Sequence, residues 1–237
     1  MLKDEKNFLI NNPIFIKYRI TFDFRSWKWI RYPRAVFMNE RIIEVPFAIH
    51  ALSALPRGSR VLDLGCTESS LPMQLAALGY QVTGFDFRPY PYAHRNFSFV
   101  RGDFLQLPFE NGSYDAVLSI STIEHAGIGF YQDPRQIREA DQKAVAQAER
   151  VLKKGGLFIF TAPYGIHRID ERQRVYDKDS LDHLLKVFCR EETRYFKKDF
   201  LQGVACNTWD EIDEGEAAGI ESPDDISCVC LVRAKKL

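Results

Sequence analysis

Three successive apolar runs of this sequence each carry an aspartate near the end: RVLDLG (60–65) has Asp63, QVTGFDF (81–87) has Asp86 and NFSFVRGDF (96–104) has Asp103. A carboxylate closing a buried strand is costly unless it is paired or meets a ligand. The fold must therefore gather these strand ends on one side. Further runs follow at YDAVLSIS (114–121), GLFIFTAP (156–163), TRYFKKDF (193–200) and ISCVCLVRA (226–234). Helical segments separate many of them: SLPMQLAALG (70–79), closed by Gly79, a stretch from about 135 to 152, and DKDSLDHLLKVF (177–188), with Asp177 or Asp179 as N-cap. Strands alternating with helices predict an α/β protein with a mostly parallel sheet and helices on both faces. The sixth and seventh strands have no helix between them, so the seventh is expected to run antiparallel beside the sixth. Ligands of such sheets bind beyond the carboxyl ends of the strands, at the switch point.

At 237 residues the chain is one large domain or two cramped ones. It has 32 Lys plus Arg and 32 Asp plus Glu, and this balance argues against a nucleic-acid-gripping protein. No apolar run is long enough for a membrane span, and MLKDEKNFLINNP lacks a signal-peptide core. The odd set Cys66, Cys189, Cys206, Cys228 and Cys230 has no CxxC spacing. It predicts buried thiols in a cytoplasmic protein, with no metal site. Residues 1–41 form an arm in which Arg25, Lys28, Arg31 and Arg34 interleave with Trp27, Trp29 and Tyr32. Such an arm is a cap over the core or pocket, or an interface with a subunit, a glycan or a membrane surface. The segment ERIIEVPFAIHALSAL (40–55) has helical spacing, with a break expected near Pro46. The expected division is an arm at 1–41 and a catalytic domain at 42–237.

Asp86 lies 23 residues after Asp63. An acidic residue ending the second strand suits the two hydroxyls of a ribose. Asp103 suits an adenine amino group, with Phe104 against the ring. On VLDLGC (61–66), VTGFDF (82–87), GDFLQLPFENGSYDAVLSISTIEH (102–125) and RVLKKGGLFIFTAP (150–163), the chain resembles the class I S-adenosylmethionine-dependent methyltransferases, in particular the small-molecule methyltransferase type 11 group. The ESxLP turn, the STIEH segment and a YD…LL region also resemble a sparsely described branch associated with polysaccharide biosynthesis.

The resemblance implies a Rossmann-like seven-stranded sheet in the order 3-2-1-4-5-7-6. It implies S-adenosylmethionine as cofactor, held by Asp63, Gly65, Cys66, Glu68, Asp86, Phe87, Asp103, Phe104 and Ser121. Asp63 and Gly65 would face the methionine end, Asp86 the ribose, and Ser121 the transferring methyl. Only Gly65 remains of the GxGxG-like turn usual after the first strand; Cys66, Thr67, Glu68 and Ser69 follow. That departure is either a wider turn, with Glu68 meeting the cofactor's ammonium group, or a weakened site. His125 is a candidate general base, as is Glu124 if burial raises its pKa; both also suit a loop-orienting role. Tyr164, His167 and Arg168 are candidates for the acceptor site, and Arg168, Arg172 and Arg174 for a phosphate or carboxylate on it, unless they belong to a solvated loop. The acidic connection 203–225 is a lid or a solvated segment, and Trp209 within it a sugar platform or an anchor. The expected activity is methyl transfer to a small molecule, an oxygen on a sugar or related metabolite. The alternative is a non-catalytic binding or interaction protein of the same fold. A nicotinamide enzyme is disfavoured by the missing GxGxxG.

Overall fold

A computed structural model describes residues 20–23, 28–31, 39–129, 136–200, 207–222 and 226–237. Its centre is an eight-stranded sheet. Five strands occupy one half: β3 (Arg60–Leu64), β4 (Gln81–Asp86), β5 (Phe97–Arg101), β6 (Tyr114–Ile120) and β7 (Leu152–Pro163). The other half holds β10 (Phe188–Phe200), β11 (Asn207–Ile212) and β12 (Cys228–Lys236). The spatial order is β11-β10-β12-β7-β6-β3-β4-β5. Seven strands follow the expected 3-2-1-4-5-7-6, with β12 antiparallel to both neighbours. The eighth, β11, pairs antiparallel with β10 at the edge.

Period-two alternation sorts each strand between two cores. On one face Leu62, Val117, Phe158 and Phe160 pack under α3 (Ala140–Val151) and α4 (Lys178–Leu184). On the other, Val61, Val82, Ala116, Leu118 and Ile159 pack under α1 (Arg41–Leu52) and α2 (Leu71–Ala77). In α3, Ala140, Ala144, Val145, Ala148 and Val151 are buried at helical spacing. Asp177 caps α4, accepting from Ser180 N while Ser180 Oγ accepts from Asp177 N.

Several expectations need correction. Helix α1 runs unbroken through Pro46. The proline is exposed, so its missing donor falls on the solvent side. Helix α3 starts later than expected, because Glu139 takes a left-handed φ of 55°. The acidic connection is not a lid of irregular chain: it holds β11 and α5 (Glu214–Ala218), which pack on the sheet edge. Glu211 pairs with Arg194 and Glu216 with Lys197. Trp209 lies against the second core, so it anchors the edge. Cys66, Cys228 and Cys230 are buried, but Cys189 is exposed on β10; Cys206 lies outside the described residues.

In the N-terminal arm, β1 (Ile20–Asp23) and β2 (Lys28–Arg31) form an antiparallel hairpin. Arg25, Trp27, Tyr32 and Arg34 lie outside the described residues. Among those described, no helix is long and apolar enough to cross a membrane.

Candidate functional site

The carboxyl ends of β3, β4, β5 and β6 open into one pocket, where ligands of such sheets bind. Its first wall is the turn after β3. Gly65 takes φ 73°, and its N–H donates to Phe85 O at 2.8 Å. A Cβ there would lie 2.3 Å from the Thr122 side chain. Only glycine fits, both for its conformation and for the space. The turn then tightens into a single 3-10 turn, Cys66–Glu68.

Asp86, at the end of β4, is 2% exposed. Its Oδ2 accepts from Thr67 N at 3.1 Å and its Oδ1 from Arg88 N at 2.9 Å. Arg88 reaches back to Glu68, Nη1 to Oε1 at 2.6 Å. Glu68 therefore lines the pocket but already holds an arginine. After β5, Asp103 Oδ1 accepts from Leu105 N at 2.9 Å, and Phe104 packs on the first core beside it. Gly102 has no room for a side chain, since a Cβ would meet the Phe85 ring at 2.6 Å.

Asp63 lies beneath this wall. It is 2% exposed, and its Oδ2 has no hydrogen-bond partner among the described residues. Burial pushes its carboxyl up to about 7, against the pull of Arg41 and with the push of Asp86. Cys66 is also sealed below the surface, where burial raises its thiol well above the usual range.

The far wall is the segment after β6. Ser121 has a left-handed φ of 44°, uncommon for a residue with a side chain. It is held on both sides: its N–H donates to Thr161 Oγ1 at 2.9 Å, and its Oγ donates to Glu44 Oε1 at 2.6 Å. Glu44 is wholly buried and also accepts from Thr161 Oγ1 at 2.6 Å and from Arg41 Nη1 at 2.9 Å. Arg41 donates further to Ile120 O and faces the pocket.

His125 follows in the 3-10 turn Ile123–His125 and lines the same pocket. Its Nδ1 lies 2.6 Å from the carbonyl of Arg172. A carbonyl only accepts, so the ring proton sits on Nδ1 and Nε2 keeps its lone pair. Burial holds the ring down to about 4, despite that carbonyl, so it is neutral at ordinary pH. Glu124 has 0% exposure and, among the described residues, no hydrogen-bond partner for either carboxyl oxygen. Burial raises its pKa well above the carboxylate range. Its Oε1 lies 3.7 Å from His125 Nε2.

Of the residues expected to form the site, Gly65, Glu68, Asp86, Phe87, Asp103, Phe104, Ser121 and His125 line one pocket. Asp63, Cys66 and Glu124 are buried beside it. The acceptor candidates lie elsewhere. Tyr164 is wholly buried, its hydroxyl 3.4 Å from Glu214. His167 is outside the pocket lining. Arg168 donates to Asp170 and to Ser222 O. Arg174 is buried under the His125 turn. Sequence reasoning missed Arg41, Glu44 and Arg88. The available signal was a glutamate on the apolar face of α1, three residues after an arginine.

S-adenosylmethionine fits this donor set on two counts. A buried carboxyl with an open oxygen suits its ammonium group, and glycines 65 and 102 keep side chains out of the cradle.

Residues 62–160 match a family model described as a methyltransferase domain. A sterol 24-C-methyltransferase of Gibberella zeae is 27% identical over 176 residues, covering 66% of this chain and 41% of that protein. A sarcosine/dimethylglycine N-methyltransferase of Aphanothece halophytica is 42% identical over 62 residues, 26% of this chain and 18% of that one. This chain thus spans less than half of the curated relatives it matches. In structure it is similar to a 1,6-didemethyltoxoflavin-N1-methyltransferase of Burkholderia thailandensis bound to 1,6-didemethyltoxoflavin and S-adenosylhomocysteine. The TM-score is 0.54 at 16% identity, covering 81% of this chain and 76% of that one. The cyclase SpnF shares the fold at TM-score 0.53 and 15% identity, over 86% of each chain. The chain is thus similar to methyltransferases over residues 62–160, and its sheet order is that of the Rossmann-like fold these structures share.

Proposed function

We propose that the protein transfers a methyl group from S-adenosylmethionine to a small-molecule acceptor, an oxygen on a sugar or related metabolite. The observation that carries the cofactor half is the convergence of Asp63, Gly65, Asp86 and Asp103 around one pocket that ends at Ser121 and His125. Asp86 would hold the ribose hydroxyls through the lone pairs left by Thr67 and Arg88. Asp103 and Phe104 would border the adenine. Asp63 would meet the ammonium group, because Glu68 is occupied by Arg88. When bound, the cofactor supplies an electrophilic methyl on a sulfonium. The protein's task is to align the acceptor oxygen with it and exclude water. His125 is neutral, and its Nε2 lone pair takes the acceptor's proton as transfer proceeds. Glu124, whose pKa burial raises well above the carboxylate range, lies beside that nitrogen at 3.7 Å. The sugar oxygen rests on the resemblance to the polysaccharide-associated branch.

A second reading has its own observation. Arg88 bridges Glu68 and Asp86 across the turn where related proteins carry glycines. If that bridge persists, the protein binds cofactor weakly and acts as a non-catalytic interaction partner. The shared fold of a cyclase shows that architecture alone does not decide.

Calorimetric titration with S-adenosylhomocysteine separates the two. Micromolar binding that Asp86→Ala weakens at least about tenfold supports the enzyme. Absence of binding to the wild type overturns it. Turnover of methyl-labelled cofactor against a panel of sugars, nucleotide sugars and amines then tests the acceptor.

A further inference from the structure

Polar groups buried under the far wall are not used by the reading above. Between β7 and α4 the chain makes a small hairpin, β8 (Arg168–Ile169) and β9 (Arg174–Val175). Arg174 is 6% exposed. One guanidinium nitrogen, Nη1, donates to the carbonyls of Glu124 at 3.1 Å and Ala126 at 2.6 Å, the residues on either side of His125. Its Nε lies 3.5 Å from Asp141 Oδ2, in the first turn of α3. That same oxygen accepts from the Tyr176 hydroxyl at 3.1 Å. Two residues before Arg174, the carbonyl of Arg172 takes the His125 Nδ1 proton. The turn is also pressed from the side of α3: Gly127 O accepts from Ile137 N, and a Cβ on Gly127 would lie 2.5 Å from the Ala140 Cβ.

A guanidinium buried this way is costly, and packing alone is served as well by an apolar side chain. A guanidinium does what an apolar chain does not: its Nη1 ties two backbone carbonyls while its Nε faces Asp141. Here the two carbonyls flank the pocket's only described histidine, and the hairpin that carries the arginine also supplies that histidine's hydrogen-bond acceptor. We propose that Arg174, backed by Asp141 and Tyr176, is a positioning residue that holds His125 in one ring orientation and one tautomer, with its Nε2 unprotonated. Arg174 touches neither the pocket nor the reacting atoms. It acts through the His125 turn.

The proposal deepens the reading of the pocket as a methyl-transfer site, yet its test does not need an acceptor. Nitrogen-15 NMR of the histidine rings reports the tautomer of His125, assigned by its loss in His125→Gln. In the wild type the Nδ1–H form is expected, with a ring proton protected from exchange. Arg174→Lys keeps the positive charge but loses the separate Nε donor that faces Asp141 while Nη1 holds the carbonyls. It is expected to bind S-adenosylhomocysteine within about threefold of wild type, while the ring becomes a tautomer mixture and the proton exchanges at least about tenfold faster. Asp141→Asn, a near-isosteric change behind the arginine, is expected to shift the ring the same way by less. It also decides the case in which Arg174→Lys does not fold. A His125 ring unchanged in a folded Arg174→Lys, or unchanged in Asp141→Asn when the former is unfolded, overturns the proposal. Failure of the wild type to bind S-adenosylhomocysteine would instead strike the functional reading and leave the ring measurement standing.

Discussion

Asp63 brings a carboxyl into the interior with one oxygen open, and its acid–base behaviour follows from that. Its folded pKa, about 7, lies above the ordinary carboxylate value. The unfolded chain therefore releases this proton first, and the Asp63 contribution makes the fold less stable as pH rises from near 4 to near 7. Asp63→Asn removes that slope, measurable as a flatter dependence of Tm on pH. A cation arriving beside Asp63 favours the ionised form. S-adenosylhomocysteine binding at pH 6 is then expected to release up to about one proton. Calorimetry in buffers of different ionisation enthalpy reads this directly, and Asp63→Asn should abolish it. Gly65 is constrained differently. Gly65→Ala meets both a left-handed φ and the Thr122 side chain, so a loss of roughly 1–3 kcal/mol from strain alone is expected. The check is a lower Tm together with lost ligand binding. His125 has the opposite sign to Asp63: its pKa is depressed to about 4, so its contribution is present above pH 6.5 and disappears as pH falls toward 4.

At the scale of elements, α1 is the informative case. Sequence spacing showed a helix, and the expected break at Pro46 is absent because the proline faces solvent. The residue still removes one helical hydrogen bond. Pro46→Ala should stabilise the protein by about 1–3 kcal/mol, read as a higher Tm with unchanged ligand affinity. In α4, Asp177→Ala should cost about 1 kcal/mol by opening the capping box. The strands β3, β4, β6 and β7 were legible because each buries apolar residues on both faces. Strand β11 was not. NTWDEI offers little apolar signal, and it exists by pairing its backbone with β10 at an edge. That Gly65, Asp86, Asp103 and Ser121 share one pocket was legible because strand ends in this topology converge. For Arg174 the sequence offered an anion ligand or a solvated loop; the side chain is buried outside the pocket lining, since a sequence shows charge and not burial.

For the whole molecule, the boundary between arm and domain is the testable point. The expected division at residue 42 separates Arg41 from the domain, yet Arg41 lines the pocket and pairs with Glu44. We propose that the folding unit includes the whole of α1, whose first residue is Arg41. A chain starting at Asn39 is expected to fold and to bind S-adenosylhomocysteine within about threefold of the full chain. One starting at Phe47 should lose binding and much of its stability. A large loss on removing residues 1–38 alone would instead assign the arm a capping role over the pocket. Arg41 and Glu44 escaped the sequence reading because their partners, Ser121 and Thr161, lie 77 and 117 residues away from Glu44 along the chain.

The Glu44 knot also bears on how such a chain can change over generations. Its carboxylate serves Arg41, Ser121 and Thr161 together, so replacing any one partner strands a buried polar group at a cost of about 1–3 kcal/mol. Replacing the whole set by apolar residues of like volume avoids most of that cost. The intermediates are worse than either end. These four positions are therefore expected to change only together, and a helix α1 without the carboxylate at position 44 is expected to fail unless Ser121 and Thr161 are replaced with it.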